Sequence, residues 1–236
     1  MLTFLKKLVR YFTNNIYSFL GLDLLKQESM LRLALKEEGV DYKKLDIKID
    51  HVNGFNYING IELPVIYPKS FFQKAKKLHI SNKLITYYFN GNMSNDGGRK
   101  KMLSRFSHLD SKLIESNYGR SRFTKNKFND QYYSELATSK FGLCPHQKDF
   151  KGNQETMWTY RFIECCMVLT IPVIFKETPL GEKFINGFYY VNDEEVLSDN
   201  ILYDHDKAIR NFELSLQKFT LSKDVVSRLL SANGRK

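Results

Sequence analysis

Arg161 and Glu164 are the two side chains whose types and spacing point most directly to chemistry. Three residues apart on a helix, they share a face beside the apolar run 165–169, where a core-filling helix would not normally carry an ion pair. A guanidinium suits a diphosphate because its planar fork matches phosphate oxygens. A carboxylate suits paired ribose hydroxyls because its two oxygens accept both O–H donors. An i,i+3 ion pair without a ligand is the competing reading of the same spacing. Upstream, the small-residue loop Asn90-Gly91-Asn92-Met93-Ser94-Asn95-Asp96-Gly97-Gly98 runs into Arg99-Lys100-Lys101. A loop of this kind between a strand and a helix brings backbone N–H groups up to a phosphate, with Arg99 or Lys100 as countercharge. It matches neither GxGxxG nor the P-loop pattern. Gly91, Asn92, Arg99, Lys100, Pro145, Arg161 and Glu164 are therefore the candidate ligand-binding residues.

These groups must be positioned by strands and helices in alternation. From residue 83 onward, strands are expected over 84–90, 140–144, 171–175 and 188–191, with helices over 99–109, 129–139, 156–169 and 206–220. That alternation predicts an α/β fold with a Rossmann-like parallel sheet across residues 81–236. Ligands of such sheets bind beyond the carboxyl ends of the strands, where the loops after 90 and 144 fall. Residues 1–80 read as a small, mainly helical region with a β-hairpin. It comprises an amphipathic helix at the start, a second over 29–38 ended by Gly39, β-rich runs over 45–50 and 57–66 with turns at Asn53-Gly54 and Asn59-Gly60, and a short basic helix over 70–78. This part is an acceptor or membrane-contact lobe in the expected organisation.

The chain of 236 residues carries a net charge of +10, so an anionic partner is expected: a nucleic acid, an acidic membrane surface or a phosphorylated small molecule. Cys144, Cys165 and Cys166 are odd in number, and two are adjacent, so a disulfide framework is not expected. They read as reduced, buried thiols of a cytoplasmic protein. Charges interrupt every long apolar run in residues 1–20, which rules that segment out as a membrane span. It can pack on the core, or lie peripherally on the inner face of a membrane with Lys6, Lys7 and Arg10 toward anionic headgroups.

Three stretches, SKFGLCP (139–145), YRFIEC (160–165) and IPVIF (171–175), together resemble the exostosin-like glycosyltransferases. YYFNGN (87–92) before them and FYYVNDEEVL (188–197) behind them extend the likeness. The resemblance implies the nucleotide-sugar-binding C-terminal half of a GT-B type enzyme, with Arg161 and Glu164 as its donor-binding pair. It also implies inverting transfer from a nucleotide-diphosphate sugar to a glycan or lipid-linked hydroxyl, with no metal or other cofactor. The chain departs from the family at Val168-Leu169-Thr170, where a small residue is usual, and at Gln147, where glycine is common. Residues 1–80 are also too short for a second Rossmann domain. One general base is needed on the acceptor side, and Asp50, His51, Glu62 and Asp96 are its candidates.

A metal reading of Asp204-His205-Asp206 competes with helix capping by Asp204, and capping is the stronger. His108 and His146 read as solvated loop histidines. A noncatalytic basic module binding nucleic acid or a membrane surface is the alternative function, resting on the clusters 99–101 and 120–127. The chain carries no helix-turn-helix, RRM or zinc signature to support it, and no nucleic-acid partner is expected.

Overall fold

Ile85-Thr86-Tyr87-Tyr88-Phe89 is β-branched and aromatic throughout, and it forms most of a strand inside a five-stranded, all-parallel sheet. The computed structural model describes residues 26–50, 52–91, 93, 98–115, 128–146, 157–199 and 201–233. The amphipathic segment at residues 1–20, the basic cluster 120–127, and His51, Asn92, Asp96 and Gln147 lie outside them.

An antiparallel three-stranded sheet comes first, made of β1 (Ile47–Asp50), β2 (Phe55–Ile58) and β3 (Ile61–Pro64). The β-rich run expected over 57–66, with its turn at Asn59-Gly60, falls on the hairpin of β2 and β3. Asn59 and Gly60 both take positive φ, 49° and 77°, which makes the two-residue turn that an antiparallel hairpin favours. Helix α1 (Lys26–Glu37) precedes this sheet and α2 (Lys69–Lys76) follows it.

The parallel sheet consists of β4 (Ile85–Gly91), β5 (Ser111–Glu115), β6 (Ser139–Leu143), β7 (Ile171–Ile174) and β8 (Val191–Asn192), in the order β5-β4-β6-β7-β8. The fold is thus α/β and Rossmann-like. Between its strands run α3 (Arg99–Ser104), α4 (Asp130–Ala137), α5 (Tyr160–Met167) and α6 (Glu182–Ile185), and after the last strand come α7 (Asp193–Ser198), α8 (His205–Lys218) and α9 (Lys223–Asn233). From β4 the chain moves outward to β5, then returns to the other side of β4 as β6. The strand order reverses between β4 and β6, which opens a crevice at their carboxyl ends.

Helix α5 is buried from Arg161 to Met167, and it packs between the sheet and α8. Its approach to the sheet depends on Gly142 in β6, where a Cβ would stand 2.2 Å from Cys165 Sγ. The helix ends in a Schellman turn, with Thr170 N–H on Cys165 C=O and Leu169 N–H on Cys166 C=O. The left-handed residue of that turn is Leu169, with φ of 56°. At the end of α1 the same turn uses Gly39. Leu169 therefore sits at a backbone position that favours glycine.

The last carbonyls of α5 are held one by one: Met167 O by His79 Nε2 (3.0 Å), Val168 O by Lys83 Nζ (3.2 Å) and Leu169 O by Tyr203 Oη (2.7 Å). A cation at a helix C-terminus complements the helix dipole, yet burial pulls Lys83 down to about 8. The unfolded chain then binds this proton more tightly, so Lys83 contributes a stability term that rises with pH between about 8 and 10.5. The stability of the wild type relative to Lys83→Met is expected to increase by roughly 2 kcal/mol over that window. Urea melts at pH 7.5 and pH 10 measure the difference.

The main core joins the parallel sheet to α4, α5 and α8. A second apolar cluster joins Leu31, Leu35, Ile58 and Leu63 to Leu221 and Leu229 near the other end of the chain. Strand β5 and helices α6, α7 and α9 are absent from the expectations drawn from sequence. The expected strand 188–191 shrinks to β8.

Candidate active site

Two arginines stand at the carboxyl ends of β4 and β6, one bonded to each. Arg161 enters the crevice from the first turn of α5, with its Nη2 donating to Asn90 O at 2.5 Å and its guanidinium lying 4.1 Å from the Phe89 ring centroid. The residue is 7% exposed, and its Nε is buried with no hydrogen-bond partner. Gly91 makes room for it, because a Cβ there would stand 2.6 Å from Nη2. Arg99, at the start of α3, is also buried and reaches across to the end of β6. Its Nε donates to His146 O at 3.1 Å, and its Nη2 donates to His146 O at 2.8 Å and to Pro145 O at 3.5 Å. Gly91, Arg99, Pro145 and Arg161 are thereby brought together, while Lys100 points its charge to solvent. Thr159 precedes α5 without a side-chain cap.

Glu164 lies one turn further along α5 and is fully enclosed. Tyr132 Oη is 3.1 Å from its Oε2 and Tyr67 Oη is 3.5 Å from its Oε1. One phenol donates to each carboxylate oxygen, which is the arrangement that two ribose hydroxyls would supply. Burial, reinforced by Glu164, raises Tyr67 well above the ordinary phenol range, so it stays a donor. A grip on a pentose requires this carboxylate to be reached from the crevice, and in the structure the phenols occupy it.

Asp50 and Glu62 lie on the antiparallel sheet, both already engaged. Asp50 Oδ1 accepts from the backbone N–H groups of Val52 and Asn53, both at 3.0 Å, and its Oδ2 accepts from Asn53 Nδ2 at 2.7 Å. Glu62 pairs with Lys183, and that hydrogen bond holds its carboxyl below the usual range, which makes it a weaker base. Asp204 caps α8 through Lys207 N–H at 3.0 Å, the role expected of it. His146 is buried rather than solvated. Its carbonyl serves Arg99, and its N–H donates to Thr178 Oγ1 at 3.3 Å. The three cysteines are free and buried, and burial pushes the thiols of Cys165 and Cys166 well up. No group of three or more His, Cys, Asp or Glu side chains among the described residues is placed to share a metal ion.

Sequence reasoning missed an ionic network at the carboxyl ends of β7 and β8. Arg105 Nη1 meets the buried Asp193 at 2.6 Å, Arg105 Nη2 meets Glu177 at 2.5 Å, and Asp193 Oδ1 accepts Lys176 N–H at 2.8 Å. Only the position of Asp193 directly after a strand could have signalled it. It also missed the close seat of Trp158 on Gly54, where a Cβ would stand 2.5 Å from the indole, although Gly54 reads as a turn. Hydrogen bonding of Met157 N–H to Val52 O ties the antiparallel sheet to the segment leading into α5. A cavity of about 630 Å³ is lined by the segment 182–190, which holds none of the candidate residues. In comparisons with known proteins, no protein-family model matches the chain and no curated protein is significantly similar to it.

Proposed function

We propose that the chain is a nucleotide-sugar-dependent glycosyltransferase of the exostosin-like, GT-B type, inverting and independent of metal, acting on a glycan or lipid-linked hydroxyl. The observation that carries this reading is Arg161: a buried guanidinium at the point where strand order reverses, with Nε unpaired. A buried cation with an unused donor is stabilised by an anion, and a leaving nucleoside diphosphate is an anion that develops charge during sugar transfer. Arg99 adds positive potential at the same crevice. The incoming hydroxyl needs a base, and the pairing of Glu62 with Lys183 makes that carboxylate a poor proton acceptor.

UDP, GDP and their sugars are expected to stabilise the protein thermally. At about 100 times Kd the rise in Tm should be about 5–10 °C for a chain of this size. Stabilisation by short oligonucleotides with none by nucleotides would reject the enzyme in favour of a basic binding module.

A further inference from the structure

The carboxyl ends of four neighbouring strands carry charged groups in the order of the sheet, β4-β6-β7-β8. Arg161 bonds the end of β4 and Arg99 the segment after β6, while Glu177 follows β7 and Asp193 follows β8. Helix α3 spans them, with Arg99 at its start on His146 O and Arg105 at its end between Glu177 and Asp193. His146 N–H donates to Thr178 Oγ1, which sets Glu177 one residue from a contact with the segment that anchors Arg99. Neighbouring strands lie about 4.8 Å apart, so the ends of β4 and β7, two strands over, are separated by roughly 10 Å.

Charge changes sign along this row. At β4 and β6 the two buried guanidiniums dominate. The acids on that side, among the described residues, are Glu115, exposed at the end of edge strand β5, and Glu164, closed off by its two phenols. At β7 and β8 the acids outnumber the cations: Glu177, Asp193, Glu194 and Glu195 stand against Arg105 and Lys176, and Lys176 is itself paired with Glu194. A phosphate is therefore drawn to the arginine side and repelled from the other, so the neutral part of a phosphorylated ligand is directed toward β7.

Glu177 is the member of the acidic side placed to meet such a group. Its side chain is 50% exposed, its Oε1 takes Arg105 Nη2, and its Oε2 has no side-chain partner among the described residues. With Oε2 and the remaining lone pair of Oε1 it can accept both hydrogens of a vicinal diol. Asp193, by contrast, is fully buried and uses both oxygens, one on Arg105 Nη1 and one on Lys176 N–H. Asp193 thus fixes Arg105 and Arg105 fixes Glu177, a supporting layer of the kind that holds a binding group in place. The Arg105 hydrogen bond also keeps the Glu177 carboxyl below the usual carboxylate range, and His146 acts in the same direction, so Glu177 stays ionised and accepts hydrogen bonds. We propose that Glu177 is the carboxylate that holds a hydroxyl pair of the nucleotide sugar, on its ribose or on the transferred sugar, in the role that the phenols deny to Glu164. The assignment depends on the chain being a nucleotide-sugar enzyme, and it makes Glu177 a binding residue, not the base.

The test is calorimetric titration of the full-length wild type and Glu177→Ala with inorganic pyrophosphate, UDP, GDP, their 2′-deoxy forms, UDP-glucose and GDP-mannose. Pyrophosphate is expected to bind both proteins equally, and the nucleotide sugars to bind the variant about tenfold more weakly, as the loss of a charged hydrogen bond implies. If the ribose is the partner, removing its 2′-hydroxyl weakens the wild type about tenfold and leaves the variant unchanged. If the transferred sugar is the partner, the loss falls on the conjugates and spares UDP and GDP. Nucleotides and their sugars binding wild type and variant equally would overturn the proposal and leave the donor site standing. Equal weakening of pyrophosphate and nucleotides in the variant would make Glu177 a structural partner of Arg105, and that too overturns it. A wild type that binds none of the nucleotides would overturn both the proposal and the donor site.

Discussion

Arg161→Ala is expected to weaken nucleoside diphosphate binding about a hundredfold, the loss of a charged hydrogen-bonding group from a desolvated contact. The variant also gives up the hydrogen bond to Asn90 O and the contact with the Phe89 ring, so some loss of stability will accompany it. Arg161→Lys separates the two effects, since it keeps the charge and loses the planar fork; about tenfold weaker binding is expected of it. Calorimetric titration of each folded variant with UDP and GDP decides the matter. Unaltered affinity in Arg161→Ala with a lowered Tm would make the arginine a structural clamp between α5 and β4. Glu164→Ala is a poorer probe of binding, because it would strand the Tyr67 and Tyr132 hydroxyls in the core.

Among the described glycines, Gly142→Ala should add the most damaging methyl group. Its Cβ would meet Cys165 Sγ at 2.2 Å, with Thr170 Cγ2 at 3.3 Å and Leu136 Cδ1 at 3.4 Å behind it. A buried helix and a central strand would both have to shift, at a cost of about 3 kcal/mol or more. Cys165→Ala removes the first of these clashes. The double variant Gly142→Ala/Cys165→Ala is expected to recover most of the loss, seen in denaturant melts as a favourable coupling between neighbours. A double variant no more stable than Gly142→Ala alone would mean that the strand, not the sulfur, sets the limit.

The parts of the fold legible in the sequence are those that local physics dictates. Residues 85–89 and 171–174 are apolar, β-branched and aromatic, as strands covered on both faces must be, and they fall where expected. The convergence of Arg99 and Arg161 was readable because both sit where a loop follows a strand and leads into a helix. The edge strand β5 was not readable. β5 is only Ser-Lys-Leu-Ile-Glu, a half-exposed run whose pairing with β4 comes from tertiary contact. The fate of Glu164 was hidden because its two phenol partners are 97 and 32 residues away. The Asn59-Gly60 turn was visible because Asn and Gly tolerate the positive φ that a two-residue hairpin requires.

Leu221 and Leu229 close the apolar cluster that Leu31, Leu35 and Ile58 begin, and Tyr67 N–H takes Phe219 O at 2.7 Å. During synthesis the first module therefore lacks part of its lining until residues 219–229 have left the ribosome. Until then its nascent form exposes greasy surface, which chaperones would be expected to shield.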